Sequence, residues 1–214
     1  MPRAWNEGEK ELVKKSLQTE GKKLFERHGL QKVTVEEIVR AARISKGAFY
    51  LFYPSKEMLY SDIVDAVQRE NREKIYAGVS GPGVSHREIF KRGLKTAFDL
   101  LTSTPILQRH LNPSEYEYLK RKLPDETRKA GMASYMEEFV GFFSSWVERG
   151  WMRKIDPLGL NGLFLSLFYL IIHREDFDAA GFDAARRLWI DMISEYLVAD
   201  EKQGDAKKGD AIEN

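Results

Sequence analysis

The chain contains no cysteine. Disulfides, thiolate chemistry and cysteine-ligated zinc are thereby excluded, and a reducing compartment is permitted. Long hydrophobic runs are missing too. The longest, Gly162 to Ile172, is too short to span a bilayer, which takes about 20 residues. The opening Met1-Pro2-Arg3-Ala4-Trp5-Asn6 is polar and lacks the apolar segment of a signal peptide. A soluble, cytoplasmic protein without membrane contact is the expectation. Histidine is scarce: His28, His86, His110 and His173 fall in no metal-ligand spacing. No Gly-x-Ser-x-Gly elbow, phosphate loop or dinucleotide fingerprint occurs. The carboxylates lie beside lysines and arginines, as on solvated helix faces. No catalytic residue, metal site or cofactor is therefore expected, which leaves an enzyme unsupported. His173, after an apolar run, is explained as a helix-end histidine favoured by the macrodipole. Strand-like alternation and internal repeats are also lacking, so the fold class reads as all-α.

What is present is a chain of 214 residues with 43% hydrophobic content, enough for one large or two small domains. The net charge of +1 hides an asymmetry. Residues 1–56 hold 12 Lys and Arg against 7 Asp and Glu, or +5, and the remainder carries −4. A basic segment on a mildly acidic body suits one part that meets phosphate and another that does not. A solvated charged helix face would give much of the same asymmetry.

The richest stretch runs from Gly29 to Leu59. Thr34-x-x-Glu37 forms a capping box, and Ile38, Val39, Ala41 and Ala42 follow at helical spacing. The small residues at the end of this short helix let a second helix cross closely. Ser45 is a natural N-cap for it. Lys46, Gly47 and Ala48 then offer a long cation, no side chain and a methyl group, a surface that can approach the floor of a major groove; a methyl such as that of Ala48 can meet a thymine methyl. Phe49 and Phe52 can anchor this helix to a core, while Tyr50 lies one turn beyond Lys46. Pro54 ends the helix. Ser55 caps the next, with Lys56 in its first turn, where a cation opposes the macrodipole unless it faces a phosphate. The stretch reads as a helix-turn-helix with its supports.

These residues resemble the DNA-binding signature of the tetracycline-repressor (TetR) family of bacterial transcription regulators. The family pattern appears as Thr34, Ile38, Ala42, Ile44-Ser45, Gly47-Ala48, Phe49-Tyr50 and Lys56-Glu57. Arg43 stands where the family usually has glycine, so the turn must accept a side chain, with a left-handed conformation as the candidate. Phe52 and Tyr53 replace the more usual His-Phe or Tyr-Phe, so no histidine phosphate contact is carried over. By this reading Thr34, Ser45, Lys46, Gly47, Ala48, Phe49, Tyr50, Leu51 and Lys56 form the DNA-binding surface. Thr34 serves equally well as a bare cap.

In chain order, Asn6-x-x-Glu9 caps a first helix carrying Leu12, Val13, Leu17, Leu24 and Phe25, and Gly29 ends it. The helix that opens at Ser55 is long enough to leave the DNA-binding domain. Gly78-Val79-Ser80-Gly81-Pro82-Gly83 is the clearest break. Pro105, Pro113 and Pro124 cut the chain into short pieces; long helices follow over 125–149, 158–173 and 182–197. The expected domains are a three-helix helix-turn-helix domain over 1–54, a helical effector-binding and dimerisation domain over 55–198, and a polar, disordered tail over 199–214.

The 158–173 segment is apolar nearly all round, so it needs two packing partners. One is its own domain. The other, which the resemblance also implies, is a second subunit, with Leu163, Leu167, Leu170, Trp189, Met192, Ile193 and Tyr196 at a four-helix interface. Simple filling of a monomer core is the alternative. A two-fold homodimer places two recognition helices in successive major grooves of double-stranded DNA, about 34–36 Å apart, on a near-palindromic operator. Phe98, Met132, Tyr135, Phe139, Phe164 and Phe168 recur at helical spacing and suit ordinary core or the lining of a cavity for a small apolar effector, with Tyr135 or Tyr169 offering a hydroxyl. The resemblance implies a repressor released by such an effector, which must bind the DNA-incompetent state more tightly. A helical interaction module without DNA binding is the rival reading.

Overall fold

The structure, a computed structural model, describes residues 5–77 and 84–199, without the side chains at 76, 77, 130–136, 138, 139, 168 and 172. Ten α-helices account for almost all of it: α1 Glu7–His28, α2 Val35–Ala42, α3 Lys46–Phe52, α4 Lys56–Ala77, α5 His86–Ser103, α6 Pro105–His110, α7 Pro113–Lys122, α8 Asp125–Glu148, α9 Pro157–Ile172 and α10 Ala179–Leu197, with a 3-10 turn at Arg174–Asp176. Among the described residues the only β pairing is an isolated bridge between Met152 and Val198. The fold is all-α. No described helix is long and apolar enough to cross a membrane.

Local chemistry sets the helix boundaries. Asn6 and Glu9 close a reciprocal capping box on α1, and Thr34 and Glu37 close one on α2, satisfying first-turn amides that have no helical acceptor. Prolines open α6, α7 and α9 at the position where a missing N–H costs nothing. α1 ends at Gly29, whose φ of 81° suits a residue without a side chain.

The described chain separates into two compact units. The first comprises residues 1–72 and 100–129. Its core holds Leu17, Phe25, Ile38, Phe49, Leu59 and Tyr60 together with Ile106, Leu107 and Leu119. α6 and α7, which the sequence assigns to the 55–198 domain, therefore lie in the same core as the helix-turn-helix. α1 and α4 cross closely at Gly21, where an added Cβ would stand 3.0 Å from Leu59 Cδ2.

The second unit comprises residues 73–99 and 130–214. Aromatic rings run through its described interior. Phe90 meets Trp146 at 5.6 Å, Phe143 meets Phe164 at 5.2 Å, and Trp189 lies between Phe164 and Phe98 at 5.8 and 6.1 Å. α9 is two-faced: Leu160, Leu167 and Ile171 are buried, whereas Leu158, Leu165 and Tyr169 are exposed. The expected tail lies, apart from Ala199, outside the described residues, as do residues 78–83 of the Gly-rich break.

Candidate nucleic-acid interface

The turn between α2 and α3 is closed by backbone bonds from Arg43 N–H to Arg40 and from Ile44 N–H to Val39, at 3.3 and 3.0 Å. Arg43 adopts the left-handed conformation, φ 55° and ψ 42°. It is the only non-glycine residue with positive φ among those described. A side chain there costs roughly 1 kcal/mol that glycine would not. The exposed guanidinium of Arg43 sits at the start of the surface the turn presents.

α3 begins at Ser45, whose hydroxyl accepts the Ala48 N–H at 3.1 Å. Seven residues make two turns, and they divide into two faces. Ala48 and Phe49 point inward, Phe49 wholly buried and Ala48 only 7% exposed. Lys46, Gly47, Tyr50 and Leu51 point outward, with Leu51 80% exposed. The far end of α3 is fixed by three contacts. Phe52 stacks against Trp5 at 5.6 Å, and the Tyr53 hydroxyl donates to Asp62 at 2.5 Å. Gln18 donates to the same carboxylate at 2.8 Å. Burial and the neighbouring Asp62 push the Tyr53 phenol up, so it stays a donor.

The sequence-predicted surface is thus partly assembled and partly redistributed. Ser45, Lys46, Gly47, Tyr50 and Leu51 share one exposed face. Ala48 and Phe49 do not: the phase of the helix turns both into the core, so the Ala48 methyl is not placed to meet a thymine. Thr34 is occupied as a cap. Its hydroxyl accepts the Glu37 N–H at 3.3 Å and donates to the Glu37 carboxylate at 2.9 Å. Lys56 departs furthest from expectation. Its ammonium donates to the carbonyls of Leu30, Gln31 and Val33 at 2.8, 3.1 and 2.6 Å, which engages all three of its protons. Lys56 therefore clamps the turn after α1 instead of extending toward a phosphate, and burial lowers its pKa.

Lys46 forms an ion pair with Glu36 of α2. The hydrogen bond that Lys46 donates holds the Glu36 carboxyl below its usual range, and the same bond raises the lysine. Sequence reasoning missed Glu36, because the pair joins residues on separate helices. Gly47 is instructive for what does not surround it. A Cβ built there meets only Ser45 Oγ, at 3.9 Å, an ordinary contact. Nor does its backbone need positive φ. The protein's own packing does not require glycine here.

The residues expected at an effector cavity and at a dimer interface fall in the second unit. Phe98 is buried and Phe164 half-buried, each against a neighbouring aromatic ring. The side chains of Met132, Tyr135, Phe139 and Phe168 lie outside those described. Tyr169 is 59% exposed on the outside of α9, so its hydroxyl does not line the interior. An apolar cleft of about 250 Å³ is lined by Val140, Phe143, Val147, Met152, Ile155 and Leu160 with Arg153 and Lys154 at its edge; neither Phe98 nor Phe164 borders it. Of the dimer candidates, Leu167 is buried within its own unit, Leu163, Leu170, Trp189 and Ile193 are half-buried, and Met192 and Tyr196 are exposed. Among the described residues no three His, Asp or Glu side chains gather as a metal site would need.

Residues 19–63 match the family model for bacterial regulatory proteins of the tetR family. A curated relative, the uncharacterised HTH-type transcriptional regulator YfiR of Bacillus subtilis (strain 168), is 24% identical over 197 residues, 85% of this chain and 90% of its own length. Among solved structures, the fatty acid degradation regulator FadR from Bacillus halodurans superposes with a TM-score of 0.62 at 16% identity, covering 89% of this chain and 96% of that one. A TetR family transcription regulator from Marinobacter aquaeolei VT8 gives 0.59 at 18% identity, covering 89% and 97%. Both likenesses are of fold. These relatives are described as transcription regulators or regulators of fatty acid degradation.

Proposed function

We propose that this chain, a TetR-family transcription regulator with a DNA-binding helix-turn-helix, is a homodimeric repressor that binds a near-palindromic operator and leaves it when a small, mainly apolar effector binds. Gly47 carries the DNA part of this reading. A glycine on an exposed helix face weakens the helix, and here neither packing nor backbone conformation asks for one. A surface that must come within van der Waals distance of a nucleic-acid backbone or groove floor does ask for one. Lys46, Tyr50 and Leu51 flank it and supply a cation, a hydroxyl and an apolar contact for phosphate and base edges. Glu36 holds Lys46 in place until a phosphate replaces it.

Dimerisation is supported by α9 and α10. Leu158, Leu165 and Tyr169 line the outer face of α9, and Leu188, Met192 and Tyr196 recur at intervals of four on α10. Six large apolar side chains, each between 51% and 80% exposed, form the kind of surface that a partner covers. The aromatic interior of the second unit suits an apolar effector. The protein would act in the cytoplasm, on the nucleoid while bound to DNA.

The test is selection of bound sequences from a pool of random duplexes, comparing wild type with Lys46→Ala/Tyr50→Ala. An inverted repeat that emerges with wild type and disappears with the double variant supports the dimeric regulator. If the two proteins select the same sequences with the same response to salt, the DNA reading fails and a helical interaction protein takes its place.

A further inference from the structure

Beside the helix-turn-helix, the first unit holds a polar cleft of about 400 Å³ that the reading above does not use. Arg27, His28 and Lys32 line it from the end of α1 and the following turn, and Arg109 and Glu115 line it from α6 and α7. Glu115 is the one acid. It is only 8% exposed, and its Oε2 accepts the Leu30 N–H at 2.8 Å. Arg109 donates to the carbonyls of Glu26 and Arg27 at 3.4 Å, closing the open end of α1. Arg27 and Lys32 are exposed, and neither has a carboxylate within ion-pair distance among the described residues. The negative end of the α1 dipole accounts for Arg27 and His28, which lie in its last turn. It does not account for Lys32, which lies four residues past the helix. Cations gathered around a cleft without matching acids raise the local potential toward an anion.

The position of the cleft selects the anion. The first turn of α2 connects it to the reading helix: Glu36 pairs with Lys46 of α3 on one side. On the other, Glu37, whose carboxyl is held low first by the Thr34 backbone N–H and hydroxyl, also feels His28. Lys46 thus lies on one side of the first turn of α2 and His28, beside Arg27 and Lys32, on the other, with the Glu36 and Glu37 carboxylates between them. Two separated cationic groups suit successive phosphates along one strand.

We infer that this cleft seats a backbone phosphate flanking the bases read by α3, so that α6 and α7 help to build the DNA-binding surface. The inference rests on the regulator reading above. A phosphate contact of this kind holds the duplex without reading sequence, so its removal weakens all duplexes alike.

The experiment is an anisotropy titration of the full chain on its selected operator and on an unrelated duplex, across a range of salt, with wild type, Arg27→Ala/Lys32→Ala and Lys46→Ala/Tyr50→Ala. Both cleft side chains are exposed, so an unchanged thermal midpoint confirms that the variant is folded. The log–log salt slope should fall by about 0.9 for each phosphate no longer neutralised. That corresponds to roughly fivefold weaker binding per phosphate at 0.15 M salt, equal on both duplexes. A slope and affinities equal to wild type overturn the inference. So does an unchanged slope joined to a rise in wild-type Tm with inorganic phosphate that Arg27→Ala/Lys32→Ala lacks, which would assign the cleft to a free anion. Absence of salt-sensitive binding by wild type would instead sink the regulator reading itself.

Discussion

Replacing Gly47 by alanine should strengthen the fold while weakening the hold on DNA, two effects of opposite sign from one methyl group. The added Cβ meets only Ser45 Oγ at 3.9 Å, so no steric penalty opposes it. Alanine is favoured over glycine in helices by about 0.5–1 kcal/mol, because it loses less backbone entropy on folding. Position 47 lies in the first turn of α3, directly after Ser45 and Lys46. The lower end of that range therefore applies, and a chain of this size gains about 1–2 °C in Tm. On DNA the same methyl meets the surface that glycine admits. Overpacking a close contact costs about 1–3 kcal/mol, or roughly 5- to 150-fold in affinity. Differential scanning fluorimetry and an operator titration read the two effects from one preparation. Unchanged affinity in Gly47→Ala would show that the glycine is not there for the duplex. A lowered Tm would show that the fold does need it.

Three further outcomes follow from the geometry. Lys56→Met removes three hydrogen bonds to backbone carbonyls and should destabilise the chain by about 1–3 kcal/mol in urea unfolding, with no change in the salt slope of DNA binding; a lowered slope at full stability would restore it as a phosphate contact. His110 lies between the rings of Tyr60 and Tyr116 with Nδ1 enclosed and unpartnered, and burial lowers its pKa to about 4. Above pH 6.5 the group is neutral in both states; as pH falls toward 4 only the unfolded chain takes up the proton, so about 2 kcal/mol is lost by pH 5, a loss that His110→Leu should abolish in urea titrations at the two pH values. Leu188→Glu/Met192→Glu places charge on the exposed face of α10 and should give monomers by sedimentation, with operator binding weakened and thermal unfolding little changed; dimers in the variant would place the interface elsewhere.

Short-range chemistry made much of this architecture legible in advance. The caps at Asn6, Thr34 and Ser45 are local events, each a side chain meeting an amide three residues on. The left-handed Arg43 followed from a turn that glycine usually makes. Two things were not legible. The inward phase of Ala48 depends on how seven residues pack against the rest of the unit, and a helix of two turns has too few positions to fix that by periodicity, although Phe49 reads as a core anchor. The place of α6 and α7 rests on contacts across long stretches of chain. Glu115 meets the Leu30 N–H 85 residues away, and Tyr118 donates to Glu57 across 61. No pattern of residues near position 115 announces such a partner. The same holds for Lys56, whose acceptors lie 23 to 26 residues earlier.

The shared core of the first unit also limits how this chain can be recombined. Regulators are often regarded as cassettes, cut after the third helix and fused to a foreign sensor. A cut at residue 54 here would strip Leu17, Phe25 and the α1–α2 turn of their neighbours Ile106, Leu107 and Leu119. It would also remove Glu115, whose Oε1 fills the space beside Gly29. A transplantable reader must therefore be discontinuous, carrying residues 100–129 along with the N-terminal helices. Any chimera built on the shorter cassette starts with an exposed apolar wound and an amide at Leu30 left without its acceptor.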